Sequence, residues 1–143
     1  MKDWSKKRYW IVGASEGLGL ALAQKMSEAG ASLILTARNE ARLKEIASTL
    51  PNEVEVLPLD ITDLNAVRKS VKKLENVDGF VFLAGAYWPM PAQHWDIEKL
   101  TAMIDVNLIG ALHTLDVILP IFLEKNRGHL VFTGSLAGYR GLP

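Results

Sequence analysis

The chain has 143 residues, of which 49% are hydrophobic and 22% charged, a composition typical of one globular domain rather than a disordered chain. Its 16 basic and 16 acidic side chains give a formal net charge of +0, which argues against a nucleic-acid-binding surface. The absence of cysteine excludes disulfides and thiolate-bound metals, and His94, His113 and His129 lack the spacing of a metal site, so we expect them to be structural or surface residues.

Neither a secretion signal nor a membrane anchor is expected. The basic N-terminus leads into a predicted strand, without the apolar region and cleavage site of a signal peptide. The least polar stretches are interrupted by glycine and proline or, further along, by Asn107, His113 and Asp116, so no uninterrupted membrane-spanning helix is predicted. We therefore expect a cytoplasmic protein.

Residues 8–19 combine a short apolar strand, three closely spaced glycines and the start of a helical pattern. Gly13, Gly17 and Gly19 permit a sharp turn that can approach a pyrophosphate, and N–H groups at a helix N-terminus attract phosphate. Ser15 is expected to cap the helix and can also reach a phosphate. The pattern favours a dinucleotide-binding turn over its alternative, a tight turn without a ligand.

Strand and helix patterns then alternate along the chain. Asn39 can cap the second helix, Thr62 or Asp63 can open the third, and Pro120 is expected to end or kink the fourth. The later predicted strands cover residues 31–37, 54–57, 80–84 and 128–133, and a long helical region covers residues 96–125. This alternation predicts an α/β fold, a Rossmann-like doubly wound parallel sheet with helices on both faces and ligands at the carboxyl ends of the strands.

Arg38 follows the second predicted strand, where a site that prefers NAD usually has an acidic residue. A guanidinium suits a 2′-phosphate, because it is always charged and donates in a fork, so NADP(H) is favoured over NAD. The alternative is a surface ion pair with Glu40 or Glu45. Glu16 in the glycine turn counts against NADP, since its carboxylate would repel phosphate.

Three further strand ends carry candidate site residues. Asp60 can accept a bond from an adenine amino group or cap the following helix, and spacing alone favours the cap. Ala84 and Gly85 permit close approach to a nucleotide or form an ordinary turn. Ser135 can bind a substrate oxygen or be a turn residue, with equal support. The nearby segment 87–90 indicates an apolar wall of the site, although its Trp and Met can equally belong to the core.

Together these segments resemble the short-chain dehydrogenase/reductase family. The resemblance runs from Arg8 to the last residue, with the motifs in the family's order. It is carried by V-G-A-S-E-G-L-G at 12–19 for the family's T-G-x-x-x-G-x-G turn, Asp60 for its adenine-contacting Asp, F-L-A-G at 82–85 for N-N-A-G, D-V-N-L-I-G at 105–110 for its helical Asn motif, and G-S-L-A-G at 134–138 for the active-site Ser segment.

The resemblance implies an oxidoreductase that transfers hydride between a nicotinamide cofactor and a small carbonyl or alcohol substrate. In the family a Tyr is the general acid/base, a Lys lowers the pKa of that Tyr, and the nicotinamide carries the hydride. Ser135 would orient the substrate oxygen, and Asn107 would help hold the Lys through a water. The implied cofactor contacts are Gly13, Ser15, Gly17, Leu18, Gly19, Arg38, Asp60, Ile61, Ala84 and Gly85.

This sequence departs from the family pattern at three positions in the quoted motifs. Val12 replaces the usual Thr of the glycine turn, which removes a side-chain hydrogen bond across that turn. Phe82 and Leu83 replace both Asn residues, so polar contacts near the central strand are lost.

The family's Tyr-x-x-x-Lys does not follow the Ser segment. Tyr139 lies too close to Ser135, and Pro143 occupies the position of the required Lys. The chain is therefore interpreted as a single dinucleotide-binding domain over residues 1–143, incomplete after its fifth strand. We expect a parent enzyme that prefers NADP(H) and a chain that is inactive alone.

The long helix indicates how the protein assembles. Apolar residues occur on more than one face of helix 96–125 (Leu108, Leu112, Leu115, Leu119 and Phe122 on one stripe), which indicates a homo-oligomer formed through this helix or through the edge of the fifth strand.

A non-catalytic NAD(P)-binding module is one alternative function. A methyltransferase of similar fold is another, against which Arg38 argues because such enzymes need an acidic residue there.

Overall fold

The boundaries of the strands and helices follow the predicted alternation. The computed structural model describes residues 4–140, so Pro143, the residue in the Lys position, and the first three residues of the basic N-terminus lie outside the described part. The strands are β1 (Arg8–Val12), β2 (Ser32–Thr36), β3 (Val54–Val56), β4 (Gly79–Phe82) and β5 (His129–Phe132). The α-helices are α1 (Gly17–Glu28), α2 (Glu40–Thr49), α3 (Leu64–Lys69), α4 (Val71–Leu74), α5 (Ile97–Ile104) and α6 (Gly110–Glu124).

All five strands run parallel in one sheet with the order β3-β2-β1-β4-β5. Strand β1 is central, and in its register Tyr9 lies between Leu33 of β2 and Gly79 of β4. The strand order reverses on passing from β1 to β4, and a crevice forms at such a switch point because the connections leave in opposite directions. The predicted α/β, doubly wound architecture is confirmed.

Successive side chains of β1 enter two different hydrophobic cores, as the two-residue period of a strand requires. Tyr9 and Ile11 join the core beneath α1 and α2, whereas Trp10 and Val12 join the core beneath α3, α4 and α6. Both faces of β4 are also buried. Helices therefore cover both faces of the central strands, which leaves the strand ends as the place where a ligand can approach.

Two predicted helix boundaries needed correction. Helix α1 begins at Gly17 with Glu16 as its N-cap and without a side-chain cap, so the prediction that Ser15 caps it was wrong. The third predicted helix is divided at Ser70 into α3 and α4. There the hydroxyl and the amide of Ser70 both donate to the carbonyl of Val67, three residues back rather than the four of an α-helix. Asp63 opens α3, as one of the two predicted alternatives proposed.

The long helical region is continuous from Ile97 to Glu124 and includes a π-helical turn, Asp105–Ile109, between α5 and α6. Pro120 lies inside α6 and does not end it. Proline removes one helical hydrogen bond, but Ile118 and Phe122 are buried against the sheet on either side of it, and this packing offsets the loss.

This 28-residue helical segment contains an 18-residue window with a mean hydropathy of 1.8, so it is long and apolar enough to cross a membrane. The expectation that polar residues would interrupt it was wrong, because they are accommodated within the helix. Asn107, His113 and Asp116 instead bond to the loop after β4, to the turn after β3 and to Arg68 of α3. These three contacts tie the helix to the rest of the domain. The core helix of a globular protein can be equally long and equally apolar.

The apolar residues of the long helix divide between a buried face and an exposed face. Val117, Ile118 and Phe122 pack into the core and Leu115 packs against it, so Leu115 and Phe122 do not belong to the outer stripe that the sequence predicted. The outer row comprises Ile104, Leu108, Leu112, Leu119 and Leu123, each at least 40% exposed. At the sheet edge β5 pairs only with β4 among the described strands, and most of its residues are exposed.

Candidate cofactor site

A cleft of about 830 Å³ opens at the carboxyl ends of the strands, where the turn after β1 meets the loop after β4. Every residue that the sequence nominated for cofactor contact lines this cleft. They are Gly13, Ser15, Gly17, Leu18, Gly19, Arg38, Asp60, Ile61, Ala84 and Gly85. Residues up to 72 positions apart are therefore brought together by the order of the strands, from Gly13 to Gly85.

The glycine turn is held tightly against its neighbouring strands. The amide of Gly13 donates to the carbonyl of Thr36 at 2.8 Å. Gly13 has a φ of +88°, and a Cβ there would lie 2.5 Å from the backbone nitrogen of Ala84. A Cβ on Gly19 would overlap the carbonyl oxygen of Gly13. Only glycine therefore permits the first turn of α1 to pack so closely on β1 and on the loop after β4.

The N-terminus of α1 faces the cleft with its first amides available. The first intrahelical bond joins the amide of Leu20 to the carbonyl of Glu16, and no side chain caps the helix. The amides of Gly17, Leu18 and Gly19 have no intrahelical acceptor, as at any helix start. Nothing lies within 4 Å of the position that a Cβ on Gly17 would occupy. Open space beside free N–H groups fits the pyrophosphate of a dinucleotide, which these amides would hold.

Arg38 lies on the cleft at the end of β2 and is exposed. The alternative of an ion pair with Glu40 or Glu45 is not what the structure shows, because Lys44 binds Glu40 and Arg42 binds Glu45, each at 2.7 Å. Within residues 4–140 Arg38 makes no ion pair. Its guanidinium is therefore available to an anion in the cleft.

Asp60 forms a tight turn with Thr62 and does not cap α3, so the use that spacing favoured was wrong. Its Oδ1 accepts from the backbone amide and the hydroxyl of Thr62 at 2.9 and 2.7 Å, while Asp63 caps α3 by accepting from Ala66. The pKa of Asp60 is lowered mostly by the hydrogen bond from the backbone amide of Thr62. The hydrogen bond from the Thr62 hydroxyl lowers it further, and the charge of Arg38 contributes less. Asp60 therefore presents a carboxylate to the cleft.

The loop after β4 forms the other wall of the cleft. Tyr87 and Trp88 line it and are 65% and 42% exposed, so they are wall residues rather than core residues. Asn107 lies behind this loop in the π-helical turn, where its Oδ1 accepts from the Ala86 amide at 2.8 Å and its Nδ2 donates to the Ala86 carbonyl at 2.9 Å. Asn107 thus holds the loop through both backbone groups of one residue, without itself lining the cleft.

Ser135 is not among the residues that line the cleft. It is exposed, and its hydroxyl accepts from the amide of Ala137 at 3.2 Å, which caps the short 3₁₀ turn Leu136–Gly138. This is the turn role that the sequence left open beside a substrate-binding role.

Phe82 lies where the family has Asn. Its phenyl ring stacks on that of Phe132 with the ring centroids 5.7 Å apart, so packing replaces the lost polar contact there.

Two contacts at the cleft had no signal in the sequence. Arg42 donates from Nε to the Ser15 carbonyl at 3.3 Å, which ties α2 to the glycine turn. His113 contacts the carbonyl of Ile61 through Nδ1 at 2.9 Å, a structural role that the sequence allowed without indicating the partner. Both contacts join residues far apart in the chain, and no spacing rule connects such pairs.

The model of the short chain dehydrogenase family matches residues 7–143 of this chain. An uncharacterized oxidoreductase of Staphylococcus epidermidis is 35% identical over 133 residues, covering 90% of this chain and 58% of the relative. An uncharacterized oxidoreductase of Staphylococcus saprophyticus is 32% identical over 137 residues, with the same coverage of 90% and 58%.

Solved structures agree with this match. Serine dehydrogenase from Escherichia coli superimposes with a TM-score of 0.89 at 28% identity, covering 94% of this chain and 65% of that one. A short chain dehydrogenase from Bacillus anthracis, at 19% identity, shows the same fold with a TM-score of 0.91 over 99% of this chain and 60% of that one. The chain thus spans 58% of the length of the curated relatives it matches. It belongs to the short-chain dehydrogenase family.

Proposed function

We propose that residues 1–143 form a single dinucleotide-binding domain of a cytoplasmic, NADP(H)-preferring oxidoreductase. The parent protein would transfer hydride between nicotinamide and a small carbonyl or alcohol substrate. The observation that carries this proposal is the cleft itself, where free helix amides and a glycine turn converge with Arg38, which makes no ion pair within residues 4–140. The chain covers 58% of the length of the Staphylococcus epidermidis relative, which fits a domain that is one part of a longer enzyme.

The cofactor would lie along the cleft with its pyrophosphate on the amides of Gly17, Leu18 and Gly19. Asp60 and Ile61 would contact the adenine, and Ala84 and Gly85 would allow the nucleotide to pass close to the backbone. When bound, the cofactor supplies or accepts the hydride. The chain's own residues contribute position, charge and exclusion of water.

Arg38 would determine the preference for NADP(H) by holding the 2′-phosphate. Replacing Arg38 by Ser should weaken NADP⁺ binding roughly 10- to 100-fold, the range expected for a lost hydrogen bond to a charged group. NAD⁺ binding should change less than about twofold, because NAD⁺ lacks the phosphate. Titrations of both cofactors by calorimetry would measure this.

Arg68→Ser is the matched control, because Arg68 pairs with Asp116 on α6 and does not line the cleft. It should leave both affinities unchanged. Equal losses for NADP⁺ and NAD⁺ in Arg38→Ser, or a wild-type chain that prefers NAD⁺, would contradict the proposed preference.

We expect the 143-residue chain to show no turnover by itself. The sequence contains no Tyr followed four positions later by Lys, and a proton-transfer group contributes about 10²–10⁴-fold to such a reaction. Ser135 would orient the substrate oxygen, and Asn107 would hold the loop that flanks the nicotinamide. Carbonyl-dependent oxidation of NADPH by the purified chain that survives Ser135→Ala would contradict this assignment.

The parent protein would also form a homo-oligomer. The outer row of the long helix, which includes Leu108, Leu112 and Leu119, exposes apolar side chains side by side, and β5 offers an unpaired edge within the described residues. Sedimentation should show self-association, and Leu112→Glu should reduce it if the helix is the interface. A strictly monomeric profile at high concentration would refute this part of the proposal.

A non-catalytic NAD(P)-binding module is the second candidate. It is favoured by the position of Ser135, which lies outside the lining of the cleft and has its hydroxyl bonded to Ala137. Sequencing the coding DNA beyond the codon of Pro143 separates the two candidates. A frame that continues into Tyr-x-x-x-Lys would support the enzyme, and a stop codon would support the module.

A further inference from the structure

One wall of the cleft, the turn Asp60–Ile61–Thr62, follows β3 as irregular backbone. On its strand side the amide of Leu59 donates to the Ala37 carbonyl at 3.0 Å. Within the turn, the Asp60 carboxylate accepts from Thr62. These bonds shape the turn but do not attach it to the helical layer beside it.

His113 supplies that attachment from α6. Its Nδ1 lies 2.9 Å from the carbonyl oxygen of Ile61, 52 residues away in the chain. A carbonyl oxygen can only accept, so Nδ1 carries the proton in this contact. Both the neutral tautomer protonated at Nδ1 and the imidazolium satisfy this requirement.

The side chain of Ile61 packs against Gly110, which lies one helical turn before His113. A Cβ on Gly110 would lie 2.7 Å from both Cγ1 and Cδ1 of Ile61, and Ile61 is only 6% exposed. The backbone of Ile61 is therefore held by His113 and its side chain by the notch at Gly110. Two neighbouring positions of one helix thus fix a single residue of the cleft wall.

We propose that His113 is a positioning residue for the adenine-binding wall of the cleft, acting through Ile61. This inference rests on the proposed function, because it assigns that wall to the adenine of the cofactor. A turn that is already fixed in place loses less freedom when the nucleotide binds, so the contact raises affinity without touching the ligand. His113 is then a determinant of adenine-nucleotide affinity that lies outside the cleft lining.

The test compares His113→Leu, which removes the donor, with His113→Asn, whose amide nitrogen branches from Cγ where Nδ1 does. His113→Leu should weaken binding of 5′-AMP by about fivefold, the effect of one lost neutral hydrogen bond. His113→Asn should restore the affinity to within about twofold of the wild type. Asp116→Asn is the matched control, because it breaks another contact of α6, the ion pair with Arg68, that does not involve the cleft wall.

Hydrogen exchange provides a second measurement that needs no ligand. The amides of Thr62 and Asp63, which bond to Asp60, should exchange faster in His113→Leu and at the wild-type rate in His113→Asn. Gly110→Ala should also weaken AMP binding, although alanine favours the helix, because its Cβ displaces Ile61.

The inference is overturned if His113→Leu keeps wild-type AMP affinity and wild-type exchange at Thr62. It is also overturned if His113→Asn is as weak as His113→Leu, because the donor would then not be the cause. A wild-type chain that binds neither AMP nor NADPH would instead refute the proposed function, and the exchange rates would still decide whether His113 holds the turn.

Discussion

Gly13→Ala should mainly lower stability and Gly17→Ala should mainly weaken binding, although both glycines belong to one turn. Gly13 has a φ of +88° and faces the backbone of Leu83 and Ala84. Gly17 has a φ of +54° and faces open space in the cleft. The two substitutions add the same methyl group, so their difference measures what surrounds each glycine.

The structure sets the size of each effect. A side chain at positive φ costs roughly 1–2 kcal/mol, which applies to both variants. At Gly13 the new Cβ also lies 2.5 Å from the Ala84 nitrogen and 2.7 Å from its Cα, and backbone atoms cannot turn aside as a side chain can. Overpacking of this kind costs about 1–3 kcal/mol more. At about 2–4 °C per kcal/mol, Gly13→Ala should lower the Tm by roughly 4–20 °C, and Gly17→Ala by about half as much or less.

Thermal and urea unfolding followed by circular dichroism would measure both variants, with NADPH titrations alongside. Gly17→Ala should lose more NADPH affinity than its stability loss suggests, because its methyl group points into the cleft beside the helix amides. Gly138→Ala is the neutral control, since a Cβ there meets nothing within 4 Å. Equal destabilisation by Gly13→Ala and Gly17→Ala would refute the reasoning from close packing.

Three further predictions concern other residues of the cleft. Asn107→Leu removes both hydrogen bonds to Ala86 and should lower the free energy of unfolding by about 2 kcal/mol. Asn107→Asp keeps the acceptor and should lower it by about half as much. Equal effects of the two variants in urea unfolding would contradict the double contact. The pKa of Asp60 is depressed in the folded chain, so its stabilising contribution is present above the ordinary value of 3.8 and is lost as the pH falls through the lower folded value. Asp60→Asn should lack this acid-dependent component in Tm measurements between about pH 2 and 6, and a profile parallel to the wild type would count against it. Glu16→Gln should tighten NADP⁺ binding about two- to fivefold at low ionic strength, and the gain should shrink in 0.5 M salt, because a screened charge is the proposed cause.

The alternation of strands and helices was predictable because the signals for it are local. The run of apolar residues in β4, the glycine at φ +100° after α1 and the Asn39 cap of α2 each act within a few residues. The grouping of the predicted site residues around the cleft was predictable for a related reason. Parallel strands with right-handed crossovers bring their carboxyl ends to one edge, so residues that follow the strands must meet there.

Local signals failed where a residue had several partners within reach. Asp60 and Asp63 both lie close to the start of α3, and the sequence assigned a capping role to both, whereas only Asp63 caps the helix. Pro120 was expected to end or kink the long helix and does not end it, and the polar residues do not interrupt it. Burial against the sheet outweighed the lost hydrogen bond at Pro120, and distant polar groups satisfied Asn107 and His113.

The sequence by itself therefore determined the order of the elements along the chain, the parallel doubly wound sheet and the group of residues that lines the cleft. Only the tertiary structure decided how these residues are held: Ala86 by Asn107, Ile61 by His113, and the glycine turn by Arg42. Periodicity and capping act over one or two turns of chain. These contacts join residues between 21 and 52 positions apart, and such pairs are set by the packing of the layers rather than by any local pattern.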